Sequence, residues 1–178
     1  MNISLNGVSY SDPTIYTPME YVFKISKPEM VENEFTVKDD RGARDIMQGL
    51  GIFDFDKLNE LLDGLDFTAI STRELSLLCS ELSALGINDK YASAYLSVGN
   101  QDTGMDGRPR NLDVKFNAIP LINEQLDIQI KYGHKEGLIR DKAYGRILNS
   151  FVNANHMVAA LSYLAKSAQK LPSIDEHV

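Results

Sequence analysis

The stretch 141–168, DKAYGRILNSFVNANHMVAALSYLAKSA, decides the fold. Apolar residues recur in it at alternating spacings of three and four, which places them on one seam of a single helix. The seam positions are Tyr144, Ile147, Phe151, Ala154, Val158, Leu161, Ala165 and Ala168. Such a seam needs a packing partner, because most helical stability in proteins comes from tertiary contacts. The pattern therefore predicts a long C-terminal helix that is buried against other helices.

The partner of this helix is predicted directly before it in the chain. Apolar residues over 112–132 follow a helical period, and Pro120 indicates either a start near Ile119 or a kink. The intervening segment 133–137 begins and ends with glycine, which is typical of a turn. An antiparallel helical hairpin is the simplest arrangement of the two helices.

Four shorter helices are predicted upstream from their capping signals. We expect the first over 43–50, the second after the N-cap Asp54 and the fourth after Asn88. The third has the clearest start, because Ser71 and Glu74 fit a capping box, in which each side chain binds the free backbone amide of the other residue. The sequence thus predicts a mainly α fold, with a bundle of short helices packed on the long C-terminal hairpin.

The first forty residues differ from the rest of the chain. Three prolines oppose helix formation there, and β-prone pieces lie around them. These pieces are residues 3–10, 21–25 and 35–38. We expect an extended, partly β N-terminal arm over 1–40, with a disordered tail as the alternative. A helical domain over 41–171 and a flexible tail over 172–178 complete the predicted organisation, in which no internal repeat is evident.

Composition and charge exclude several classes of protein. The chain of 178 residues is 43% hydrophobic and carries a net charge of -7, so it is globular and repels nucleic-acid phosphates. Its single cysteine excludes an internal disulfide. No stretch approaches the roughly 20 apolar residues of a membrane-spanning helix, and residues 1–23 are not a secretory signal peptide. We expect a cytoplasmic protein without nucleic-acid or membrane partners, and export by a non-Sec route stays open.

The loop 99–111 contains a candidate calcium site. Asp102, Asp106 and Asp113 follow the spacing of EF-hand ligands. However, Gly104 stands where a further ligand is needed, and the closing residue is aspartate rather than glutamate. A Gly- and Asp-rich turn without metal explains the same residues. We therefore expect no resident cofactor.

No residue pattern indicates catalysis. The three histidines lack a companion at metal-ligand spacing, and His156 is expected to be a packing residue. Cys79 lies on the apolar stripe of its helix, which favours a small core residue over a reactive thiol. Neither a phosphate-binding loop nor a nucleophile elbow is present. The sequence favours a non-enzymatic protein, and an enzyme with an unrecognised site is the alternative.

Basic residues cluster around the turn of the predicted hairpin, against only Glu136 and Asp141. They are Lys131, Lys135, Arg140, Lys142 and Arg146. A basic patch on an acidic protein can steer a protein partner, or the acidic face of a second copy, towards it. An ordinary solvated helix end is the alternative explanation. We expect a protein-interaction module that binds another protein or self-associates into a homo-oligomer through its hairpin.

Residues 66–75, DFTAISTREL, resemble a helix opening found in small uncharacterised proteins of proteobacteria. That opening reads Asp-Phe-Thr, two residues, Ser or Thr, two residues, Glu-Leu. The resemblance implies a bacterial source and a capped helix, and it carries no activity and no site residues. In addition, residues 1–23 are rich in Ser, Thr and Asn and lack Lys and Arg, as do type III and flagellar export signals. A secretion-associated protein, either a substrate or a chaperone, is therefore an alternative function.

Overall fold

The computed structural model describes residues 23–103 and 106–169. The α-helices within them are α1 (Asp40–Gly49), α2 (Phe55–Leu62), α3 (Thr72–Ala84), α4 (Lys90–Val98), α5 (Ala118–Lys135) and α6 (Lys142–Ala168). A single 3-10 turn, Leu138–Arg140, lies between α5 and α6. The predicted mainly α fold is confirmed.

The other helices assemble on α6. Its neighbours in the core are α1, α2, α4 and α5. Most of the predicted seam is buried, including Phe151, Val158 and Leu161. Ile147 and Ala168, which lie towards the two ends of the seam, are exposed. The long helix is therefore covered by helices of its own chain, as its apolar pattern requires.

Two hydrogen bonds between side chain and backbone show that α5 and α6 run antiparallel. The Tyr144 hydroxyl donates to the Gln129 carbonyl oxygen at 2.6 Å. Farther along, the Asn155 amide donates to the Ile122 carbonyl oxygen at 3.3 Å. Because the later residue of α6 contacts the earlier residue of α5, the two helices form the predicted hairpin.

The start of α5 differs from the broader helix predicted over 112–132. The helix begins at Ala118, and the Asn117 side chain caps it by accepting a hydrogen bond from the amide of Ile119. Pro120 consequently falls in the first turn, where its missing N–H removes no intrahelical hydrogen bond. The alternative of a start near Ile119 is therefore the correct one.

The same five-residue turn follows α1 and α3. Residues 50–54 read Leu-Gly-Ile-Phe-Asp, and residues 85–89 read Leu-Gly-Ile-Asn-Asp. In both turns the glycine has a positive φ, the isoleucine is buried and the aspartate caps the next helix. The two turns touch, since a Cβ on Gly51 would lie 2.8 Å from the Gly86 carbonyl oxygen. The two turns thus share sequence and conformation, a local similarity that the sequence analysis did not note.

The contact between these turns explains an error in one predicted cap. Asn88, the expected N-cap of α4, instead donates from its backbone amide to the Leu50 carbonyl oxygen at 2.9 Å. Its side chain donates to the Gly49 carbonyl oxygen. Asp89 therefore caps α4, with its carboxylate accepting from the amides of residues 91–92. The caps predicted at Asp54 and Ser71 are confirmed.

Residues 23–39, which we call the strap, contain no strand. The strand expected at 35–38 is wrong, because Phe35 lies in a turn in which its amide donates to the Asn33 side chain at 2.9 Å. The β-prone piece at 3–10 and the tail at 172–178 lie outside the described residues. Short strands do occur farther along the chain. Ile70–Ser71 pairs antiparallel with Lys115–Phe116, and Asp102–Thr103 pairs with Pro109–Arg110.

The strap is held on α5 mainly through its own backbone. The carboxylate of Glu124 accepts hydrogen bonds from the two consecutive amides of residues 26–27. The side-chain amide of Asn117 donates to the carbonyl oxygens of Pro28 and Met30, at 2.9 and 2.7 Å. The described part of the arm is thus an ordered segment on the hairpin.

Candidate functional site

The loop with the calcium candidates folds as a small hairpin. Asp102 pairs with Arg110 in its two-residue ladder. Asp113 receives a hydrogen bond from Arg73 Nε at 2.6 Å, and this bond holds the pKa of the carboxyl below its usual value. α5 starts at residue 118, whereas the closing carboxylate of an EF-hand adjoins the second helix of the motif. Across 23–103 and 106–169, no three acidic, histidine or cysteine side chains are grouped to hold a metal ion.

Asp106, the third candidate, is also engaged locally. Its carboxylate accepts a hydrogen bond from the Arg108 amide at 3.1 Å and lies 4.0 Å from the Arg110 guanidinium. Arginine side chains therefore pair with two of the carboxylates that a cation would need, Arg110 with Asp106 and Arg73 with Asp113. The structure does not bring the three predicted ligands together: Asp102 and Asp106 lie in the small hairpin, whereas Asp113 is bound to α3.

Glu74 has several polar partners, and all of them are structural. Its carboxylate completes the predicted capping box with Ser71 and binds Lys115 Nζ at 2.5 Å. Burial opposes ionisation of this carboxyl, but the hydrogen bonds from Lys115 and Ser71 outweigh it and lower its pKa. The ion pair ties the start of α3 to the strand that precedes α5.

Cys79 and His156 are packing residues, as expected. Cys79 is buried on α3, and burial raises the pKa of its thiol to about 11 although Ser93 offers a hydrogen bond. The half-buried ring of His156 meets Phe35 of the strap edge to face, with centroids 5.0 Å apart. Its burial lowers the pKa of the imidazole. Neither residue is placed as a nucleophile or a metal ligand.

The five predicted basic residues meet at one end of the molecule. Lys131 and Lys135 lie at the end of α5, Arg140 lies in the turn, and the remaining two lie at the start of α6. All five side chains are exposed. Among the described carboxylates, Glu136 alone pairs with any of them, at 3.9 Å from Lys135. We call this end of the hairpin the basic tip.

Apolar side chains are exposed at the basic tip as well. Tyr132, Ile139 and Ile147 are 50%, 37% and 39% exposed. Beneath them the ring of Tyr144 is buried, 6.4 Å from the ring of Tyr132. Gly133 allows this packing, since a Cβ there would lie 2.8 Å from Cδ1 of Ile139 and closer still to the Tyr144 ring. The sequence analysis found the cations of the tip and missed these exposed apolar residues.

The other end of α6 is acidic. The exposed carboxylates there, which we call the acidic edge, are Asp54, Asp56, Glu60, Asp63 and Asp66. Asp56 and Glu60 lie one turn apart on one face of α2, and Asp63 directly follows the helix as its C-cap. The Gln169 side chain, directly after α6, donates to the Leu65 carbonyl oxygen at 3.2 Å. That contact places the part of the acidic edge formed by Asp63 and Asp66 beside the C-terminal end of α6, and the basic tip lies at the N-terminal end of α6.

Comparisons with known proteins give no relative. No family model, curated protein or solved structure matches the chain. Among the described helices, none has the length and apolar character needed to cross a membrane. What the chain does must therefore be inferred from its own surface.

Proposed function

We propose that the protein is a non-enzymatic interaction module whose basic tip binds an acidic and partly apolar surface of a protein partner. The observation that carries this proposal is the exposure of five cations and three apolar side chains at one end of an acidic molecule. The chain has a net charge of -7, yet the tip segment 131–146 holds five basic and two acidic residues. Charge of this kind steers a partner, and the apolar side chains supply contact area.

The helix dipole does not account for all of these cations. Lys131 and Lys135 lie at the C-terminal end of α5, where a positive charge is favourable. Lys142 is the first residue of α6, where the dipole disfavours a cation. Asp141, the N-cap directly before it, supplies the negative charge that this end of a helix favours. The fold therefore tolerates Lys142 but does not require its charge, which is available to a partner.

The basic tip is also preorganised. The Tyr144 hydroxyl joins α6 to the backbone of α5, and the missing side chain of Gly133 lets the two helices pack closely. A surface built on a packed hairpin loses little conformational entropy when it binds. Binding at the tip is therefore expected to need no folding step.

An acidic amphipathic peptide, labelled with a fluorophore, tests this proposal by anisotropy. Arg140→Glu with Lys142→Glu should weaken binding by about tenfold or more, because each reversal places like charges in contact. Lys38→Glu with Lys90→Glu makes the same change in net charge at exposed positions outside the tip and should weaken binding much less. Tyr132→Ala should also weaken binding. The proposal is wrong if the wild type does not bind, or if both double variants lose affinity equally.

A secretion-associated role is the second candidate, and the composition of residues 1–23 favours it. The strap is packed on the hairpin from its first residues, so an export signal would lie in 1–22. A reporter fused to residues 1–22 should then reach the medium of a type III-competent bacterium, whereas a fusion to 23–45 should not. Retention of both fusions would contradict this candidate. The described residues offer no comparable observation in favour of an enzyme.

A further inference from the structure

Resting on the proposed function of the basic tip, we infer that its partner is the acidic edge of a second copy of this chain, so that copies associate head to tail. The two surfaces have opposite charge, both are exposed, and they lie at opposite ends of the same helix. The chain thus carries both halves of one interface.

The acidic edge has the chemistry that the basic tip requires. Of its carboxylates, none forms an ion pair within the described residues. Lys57 is the one basic residue within 54–66. Phe53, directly before Asp54, is 71% exposed, so this edge also offers an aromatic side chain. Charge and apolar surface are therefore complementary between the two ends.

The contact cannot form within one molecule. α6 has 27 residues and separates the two surfaces. At the standard rise, a helix of this length spans about 40 Å. Two antiparallel copies can make this contact twice and close into a two-fold dimer. Copies that each make it once leave a tip and an edge free and extend into an open chain or a ring.

Other contacts between copies are less favourable. The apolar seam of α6 is covered by α1, α2, α4 and α5, so it offers little surface to a second chain. Two tips facing each other would bring like charges together, as would two acidic edges. The contact between tip and edge remains the one in which charges of both copies are paired.

Sedimentation velocity on the full chain tests this inference. In dilute salt, the mean mass of the wild type should rise above that of the monomer, to the dimer or beyond, as protein concentration increases to the high micromolar range. It should return to the monomer value in about 1 M NaCl, where the Debye length is only about 3 Å. A wild type that stays monomeric in dilute salt, or whose association persists in about 1 M NaCl, overturns the inference.

Two variants that each lack one end make the test specific. A tip-blocked variant combines Arg140→Gln, Lys142→Gln and Arg146→Gln, and an edge-blocked variant combines Asp56→Asn, Glu60→Gln and Asp63→Asn. Each alone should be monomeric. Mixed in equal amounts they should form a 1:1 complex and nothing larger, because one intact tip meets one intact edge. The inference is contradicted if the mean mass of either variant alone rises with concentration, or if the mixture forms no complex.

Control variants separate charge loss from misfolding. Lys38→Gln with Lys90→Gln removes exposed cations outside the tip and should assemble like the wild type. Should a blocked variant lose helix by circular dichroism, the single changes Arg140→Glu and Glu60→Lys replace it. A monomeric wild type that still binds the acidic peptide at its tip overturns the inference and leaves the proposed function standing. Loss of peptide binding overturns the proposed function.

Discussion

Gly133 fixes how closely the two helices of the hairpin approach each other. A methyl group there would overlap the Tyr144 ring and Cδ1 of Ile139, so Gly133→Ala should destabilise the protein by about 1–3 kcal/mol. Gly145→Ala is the matched control, since nothing lies within 4 Å of its Cβ position. That change should be neutral or stabilise by up to about 1 kcal/mol, because alanine favours a helix. Urea denaturation measures both, and equal shifts would contradict the packing described.

His156 makes stability depend on pH. Burial lowers the pKa of its imidazole below the ordinary 6.5, so the unfolded chain binds this proton more readily than the folded chain. The contribution of His156 is therefore complete above pH 6.5 and declines as the pH falls through the folded-state pKa. In urea denaturation, His156→Gln should lose less stability than the wild type between about pH 7.5 and pH 5. An identical loss in both proteins would show that the imidazole is not the group responsible.

Helix starts could be predicted well from sequence where the cap is a local hydrogen bond. Ser71 and Asp54 bind amides within three residues, so a short stretch of sequence is enough to identify them as caps. Asn88 has equally good capping chemistry, yet the carbonyl oxygens of Gly49 and Leu50 bind it instead. That contact spans a large sequence separation. A local pattern therefore identifies candidate caps, and tertiary contacts decide among them.

In the candidate site, too, the local features could be predicted from sequence and those that depend on tertiary contacts could not. The cations of the basic tip could be predicted, because a single turn brings neighbours in sequence together in space. The acidic edge could be seen in sequence only as a charged helix face. Its position relative to α6 depends on the bond between Gln169 and Leu65, which are 104 positions apart. Nor does the sequence indicate that Ile147, a seam residue, is left exposed at the tip.

The strap depends on Asn117 for its position. Asn117→Asp keeps an acceptor for the cap of α5 but removes the donor that binds the Pro28 and Met30 carbonyl oxygens. With two hydrogen bonds of about 1 kcal/mol each lost, the strap should open about thirtyfold more often. Trypsin should then cleave after Lys24 correspondingly faster, as followed by mass spectrometry; Lys27 precedes Pro28 and is not a trypsin site.

Asn149→Asp provides the control for this prediction. It makes the same chemical change at an exposed position on α6 and should leave the cleavage rate unaltered. Equal protection of the strap in the wild type and in Asn117→Asp would mean that other contacts hold it.

The molecule as a whole is expected to unfold in one transition, since four helices share α6 as their packing partner. Leu161 is fully buried on α6, and Leu161→Ala should cost about 2–5 kcal/mol. Leu77 is 63% exposed, so Leu77→Ala should change stability by no more than about 0.5 kcal/mol. Fluorescence and circular dichroism should report coincident urea transitions in both variants. Transitions that differ between the two probes would contradict a shared core.

Because four helices pack on α6, the core cannot form until α6 has been synthesised. On the ribosome, α1, α2 and α4 emerge well before residue 142, and their apolar faces then have no surface to cover them. Translation at about 5–20 residues per second leaves these apolar faces exposed to solvent for several seconds. Nascent chains that are arrested before Lys142 should therefore bind chaperones. The core is completed only when residues 142–168 have left the ribosome.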